Sequence, residues 1–147
     1  QSRGLFDSLR EKFPVVDLGE IHGDQAMAKF FNATDIHLMP SMAESFGMMA
    51  MEAAACGVPS VVFSGSPLEE VCFAPEGGMA VSRGNVNELT AAIVQLTVDS
   101  YRKQEMGQRA RLLAVQHYCF DDYARSMLAL YDSLLRPKLC ADRSTEV

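Results

Sequence analysis

Short β-type runs alternate with helical stretches along this chain, and that order constrains its fold more than any other feature. Val15-Val16-Asp17-Leu18 reads as a strand ended by Gly19, and Asp35 to Met39 as a strand stopped by Pro40 and Ser41. Val58 to Phe63 is an unbroken apolar run apart from Pro59 and Ser60, as expected of a parallel strand covered on both faces. Met79 to Ser82 reads as a fourth strand.

The intervening segments carry helical spacing. Leu5, Phe6 and Leu9 mark a helix over 2–12, closed by Phe13 and Pro14. Asp24 is expected to cap a helix from Gln25 to Asn32, with Ala26, Phe30 and Ala33 inward. A helix opens near Phe46 and stops at Gly57, and a helical turn covers Pro67–Cys72. Asn85 caps a helix carrying Val86, Leu89, Ile93 and Leu96. Two more follow: 100–117, with Leu112, Leu113 and Val115 inward, and 121–135, with Met127, Leu128, Leu130, Tyr131, Leu134 and Leu135 inward. The fold predicted is a Rossmann-like α/β/α sandwich with a parallel sheet. Residues 1–136 form one domain, and 137–147 form a frayed polar tail. Ligands of such sheets lie at the carboxyl ends of the strands, so the loops after Leu18, Met39, Phe63 and Ser82 deserve most scrutiny.

The bulk numbers narrow the partners. A formal net charge of −6 argues against nucleic acid, which needs a surplus of Lys and Arg. It leaves room for a small anion, because a helix N-terminus binds phosphate without net positive charge. No apolar run approaches the roughly 20 residues that span a bilayer. A cytoplasmic setting is expected. Cys56, Cys72, Cys119 and Cys140 stand singly, as do His22, His37 and His117, so neither a disulfide framework nor a metal site is expected. Of these, His22 alone is placed to face a ligand loop.

One segment stands apart. Pro40-Ser41-Met42-Ala43-Glu44-Ser45-Phe46-Gly47 leads into Met48-Met49-Ala50-Met51-Glu52-Ala53-Ala54-Ala55-Cys56-Gly57. Its helix has one ionisable residue, Glu52, among apolar and small neighbours. It should therefore be covered nearly all round, and its carboxylate should need hydrogen-bond donors. Gly47 at the helix start lets a ligand approach the backbone, where the free N–H groups of Gly47, Met48 and Met49 favour a diphosphate. The plainer readings are a solvated loop carboxylate for Glu44 and a partly exposed or arginine-paired one for Glu52.

The run Pro40-Ser41…Glu44-Ser45-Phe46-Gly47…Glu52-Ala53…Cys56-Gly57-Val58-Pro59 resembles the Glu-x7-Glu signature of the family-4 retaining glycosyltransferases of two-domain GT-B fold. The strand before it and the later Met106-Gly107…Ala110-Arg111 helix fall in the same order. The resemblance implies that Glu44 acts at the catalytic position on the donor sugar's hydroxyls. Ser45, Phe46, Gly47, Met48 and Met49 would surround sugar and diphosphate, and Glu52 would hold the ribose. It implies transfer of a glycosyl unit from a nucleotide diphosphate sugar with retention, in polysaccharide or glycoconjugate synthesis, with neither metal nor cofactor. A nucleotide-sugar epimerase half and a non-catalytic nucleotide-binding or interaction module are the alternatives.

The same resemblance exposes departures. The resemblance implies the C-terminal half of the GT-B fold, lacking its first strands. The family's diphosphate-gripping arginine and lysine belong to that missing first strand, loop and helix, and none of Arg3, Arg10 or Lys12 has their context. The acceptor domain, which would take a glycan, lipid or small molecule, is also expected outside this chain, so these residues alone should not transfer sugar. The full-length protein would be cytoplasmic, or peripheral on the inner face of the membrane. Where the family favours a Gly-Gly loop, this chain has Ser64-Gly65-Ser66-Pro67, followed by a fitting Glu70-Val71. An uncovered sheet edge would favour a homodimer.

Overall fold

The computed structural model describes residues 2–135, with side-chain environments from Asp7 onward. The elements in chain order are α1 (Ser2–Lys12), α2 (Asp24–Asn32), β1 (His37–Met39), α3 (Met48–Ala55), β2 (Ser60–Phe63), α4 (Pro67–Val71), β3 (Gly78–Val81), α5 (Val86–Val98), α6 (Ser100–His117) and α7 (Phe120–Leu135). The three strands form a parallel sheet ordered β1-β2-β3, with His37 opposite Ser60 and Ser60 opposite Gly78.

Central strand β2 is buried at every position, and its alternation divides the core. Val61 and Phe63 pack with Val81, Ala92 and Leu96 beneath α5 and the start of α6. Val62 points the other way, onto Ala50 of α3 and Leu68 and Val71 of α4. Helices therefore cover both faces, giving the expected three-layer α/β sandwich.

Helix α6 crosses the end of the sheet where the strands begin, then runs antiparallel to α3. Its path is set by small residues. A Cβ on Gly107 would stand 2.2 Å from the Gly57 carbonyl oxygen, so only glycine admits this approach. Ala110 and Ala114 then pack on Ala54, and Arg111 donates to the Ala55 carbonyl at 2.7 Å. The face expected for this helix is therefore wrong: Leu112 and Val115 are exposed, while Met106, Gly107, Ala110 and Ala114 are buried. Close backbone approach outweighs side-chain bulk here.

Other expectations need correction for similar reasons. Residues 15–18 are not a strand; Val16 and Leu18 are exposed and have no strand beside them among the described residues to take their backbone hydrogen bonds. Asp24 does not cap α2. Gly23 holds that position without a side-chain cap, and Met27, Phe30 and Phe31, rather than Ala26 and Ala33, face inward. Val86 is exposed beside an otherwise well-read α5 face, whose Asn85 caps Glu88 as expected. Helix α7 buries no residue and packs on no other described element. The tail expected over 137–147 lies outside the described residues.

Candidate functional site

Because the strands are parallel, Met39, Phe63 and Val81 end on one edge of the sheet, and the loops after them form one surface. Arg83, just past β3, reaches across this edge and its guanidinium donates to the Met42 carbonyl. The expanse from Met42 to Gly47 is further held by Ser41, whose hydroxyl donates to the Ala43 carbonyl at 2.9 Å. Sequence gives no signal for the Arg83 tie, because its partner lies 41 positions away.

Gly47 ends that loop with φ 100°, a left-handed conformation, and serves as N-cap of α3. Its packing is as demanding as its torsion. A Cβ there would come within 2.3 Å of Leu68 Cδ2, and Leu68 is wholly buried. Having no side chain, Gly47 leaves the first N–H groups of α3 uncapped; its carbonyl accepts from Ala50 and Met51. The N–H groups of Met48 and Met49 belong to this uncapped first turn, whose partial positive charge suits an anion.

Glu44 is half-buried beside this turn, its Cγ 3.7 Å from the point a Gly47 Cβ would occupy. Its carboxylate accepts the Ser45 N–H at 3.0 Å. Phe46 behaves differently from a lining side chain. Its ring meets Tyr118 edge-on, with centroids 6.2 Å apart and an interplanar angle of 76°, on the flank where α6 ends.

Two neighbouring cavities, sharing Met27 as a wall, open beside α3. The larger, about 560 Å³, lies between the 16–22 loop, Met27 and Phe30 of α2, and Met49. The smaller, about 200 Å³, is walled by Asp24, Met27, Phe31, Glu52 and Cys56. Met27 lines both, and Met49 and Glu52, three residues apart, share one helix face. Of the expected site residues, Met49 and Glu52 thus border this groove, while Glu44 to Met48 form the turn at its end.

Glu52 is not the enclosed carboxylate expected. It is half-buried, and Met48 and Met49 are 54 % and 42 % exposed, so α3 is open along the groove. The helix is apolar because α2, α4 and α6 take its other sides through Ala53, Ala50 and Ala54 respectively. Sequence missed Asp24, Met27 and Phe30 as groove residues. It also missed Asp17, whose carboxylate accepts the Gly19 N–H at 2.9 Å and shapes the groove's outer loop. His22 does border the larger cavity, with its ring 3.4 Å from the Glu20 carboxylate.

Charges around the groove are mostly acidic: Asp17, Glu20, Asp24 and Glu52 line it. Carboxylates of this kind accept from hydroxyl or amine donors and repel phosphate. Away from the site, burial pushes the Cys72 thiol up to about 11 and holds the His37 imidazole below its usual value. Among the described residues no group of His, Cys, Asp and Glu could hold a metal ion. No described helix is long and apolar enough to cross a membrane.

Comparison with known proteins matches residues 14–113 to the family "Glycosyl transferases group 1". A D-inositol 3-phosphate glycosyltransferase of Paenarthrobacter aurescens is 30 % identical over 110 residues, covering 75 % of this chain and 25 % of that protein. A GDP-mannose-dependent alpha-(1-6)-phosphatidylinositol dimannoside mannosyltransferase of Mycobacterium tuberculosis is 29 % identical over 129 residues, covering 88 % and 32 % respectively. Among solved structures, sucrose-phosphate synthase of Thermosynechococcus elongatus superposes with a TM-score of 0.80 at 27 % identity, covering 89 % of this chain and 33 % of that one. The chain thus spans about a quarter to a third of the length of these relatives. With the match extending from the groove loop into α6, and with a parallel sheet of the same architecture, the chain belongs to the glycosyl transferases group 1 family.

Proposed function

We propose that this chain is the donor-binding part of a glycosyltransferase that takes a sugar from a nucleotide diphosphate sugar and transfers it with retention of configuration. The observation that carries the reading is the uncapped start of α3, with Gly47 locked by Leu68 and carboxylates before and after it. A diphosphate set against the Met48 and Met49 N–H groups has its charge met by the helix end. From there the nucleoside runs along the groove past Met49, and Glu52 accepts from the ribose hydroxyls. The sugar lies on the other side of the turn, within reach of Glu44. Ser45, Phe46 and Gly47 contribute backbone groups. As the leaving diphosphate gains charge, the fixed helix N–H groups stabilise it without reorganising.

Of the two carboxylates, Glu44 is the proposed catalytic residue and would contact the transferred sugar. A glycan, lipid or small-molecule acceptor would be bound by a domain outside these residues. No metal or cofactor is invoked.

Calorimetric titration of this chain with UDP-glucose and GDP-mannose tests the reading. One of the two should bind, with UDP or GDP alone competing. Absence of binding to both sugars and both nucleotides would sink it. The chain by itself should turn over no donor if the acceptor is bound outside these residues as proposed; measurable transfer would contradict that division of labour.

A further inference from the structure

We infer that Tyr118 is a positioning residue for the donor-binding turn, acting through Phe46; this rests on the proposed reading of that turn as the diphosphate site. Tyr118 is 70 positions or more from the Glu44–Gly47 loop, yet its ring closes an aromatic chain that ends there. Phe46 meets Tyr118 edge-on at 6.2 Å, and Tyr118 in turn lies 5.3 Å from Phe73. Phe73 has φ 56°, uncommon for a residue with a side chain, and its ring also neighbours His117 at 5.8 Å. The Tyr118 hydroxyl donates to the Val71 carbonyl at 3.5 Å, tying the ring to α4. Burial and the nearby Glu70 carboxylate raise the phenol above its ordinary value, which keeps it a donor.

The turn is therefore held at two adjacent points. Leu68 holds Gly47, and Tyr118 holds Phe46. Between them they fix the plane of the peptides that open α3, and with it the direction of the Met48 and Met49 N–H groups. The Tyr118 hold is the weaker, because Phe46 remains 41 % exposed. It is also placed where the chain leaves the last turn of α6, immediately before α7. A shift of α7 would thus reach the donor turn through two rings.

The test compares wild type with Tyr118→Ala and Tyr118→Phe, by amide hydrogen exchange at Ala50 and Met51, whose N–H groups donate to the Gly47 carbonyl, and by titration with GDP-mannose, UDP-glucose and their nucleosides. Tyr118→Ala should accelerate exchange at Ala50 and Met51 while strands β2 and β3 keep their protection. It should weaken the bound nucleotide sugar by about 3- to 10-fold, the range of one aromatic pair, and leave nucleoside affinity unchanged. Tyr118→Phe should restore both. Should Tyr118→Ala fail to fold, Phe46→Leu removes the same contact from the exposed side and is read identically. Unchanged exchange at Ala50 and Met51 in a folded variant, or equal weakening of nucleoside and nucleotide sugar, would overturn the inference. If wild type binds no nucleotide sugar, the proposed function fails, and exchange alone decides whether Tyr118 orders the turn.

Discussion

Gly47 and Leu68 meet so closely that a single methyl group on the glycine would stand 2.3 Å from the leucine's Cδ2. This contact joins the loop after β1 to helix α4, which follows β2, and so sets where α3 begins relative to the sheet. Leu68 has nowhere to retreat, being fully buried with Ala50, Val62 and Val71.

Gly47→Ala should therefore destabilise the chain by about 2–4 kcal/mol, combining overpacking with a left-handed torsion that a side chain disfavours. Leu68→Ala alone should also destabilise, through its cavity. The double variant should lose clearly less than the sum, because each change relieves the other. Urea unfolding of the four proteins measures this. Simple additivity would remove the steric explanation.

Glu52→Ala should weaken a ribonucleotide sugar by roughly 10- to 100-fold, since hydrogen bonds to a charged acceptor contribute about 1.5–3 kcal/mol. The specific expectation concerns the hydroxyl. Wild type should discriminate against a 2′-deoxy donor, and Glu52→Ala should bind both nearly alike. If the variant keeps the wild-type preference for ribose, Glu52 is not its partner.

His37 links stability to pH. Its ring packs edge-on against Phe31 at 5.7 Å, its Nδ1 lies 2.9 Å from the Ser60 hydroxyl, and burial holds its pKa below the ordinary 6.5. In the unfolded chain the same imidazole takes a proton near pH 6.5, so below that pH the unfolded state binds more protons. The contribution is complete above about pH 6.5 and is lost as pH falls toward the lower folded-state value. Urea midpoints should decline between pH 7 and 5, and His37→Gln should flatten this decline relative to its own value at pH 7. An equal slope in both would assign the pH dependence elsewhere.

Much of this architecture was legible because its causes are local. The apolar run of β2, the Asn85–Glu88 capping pair of α5 and the helical bounds of α6 all depend on residues within a few positions of one another. So did the identity of the loop at 40–47 and the glycine that starts α3. Periodicity failed where size, not hydrophobicity, governs packing. Gly107, Ala110 and Ala114 let α6 approach α3, which leaves the larger Leu112 and Val115 outside. It failed also at 15–18, where strand-forming residues have no neighbouring strand.

By itself, then, the sequence determined the α/β order, the parallel sheet and the placement of Glu44, Gly47 and Glu52 along one loop and helix, because spacing and torsional preference act over a few residues. The tertiary structure decided what each of these faces. Glu52 opens onto a groove because α2 stands beside it, Gly47 is irreplaceable because Leu68 arrives from 21 positions later, and Phe46 turns from the groove toward Tyr118. Such contacts join parts of the chain that no local pattern relates, and only the packed layers bring them together.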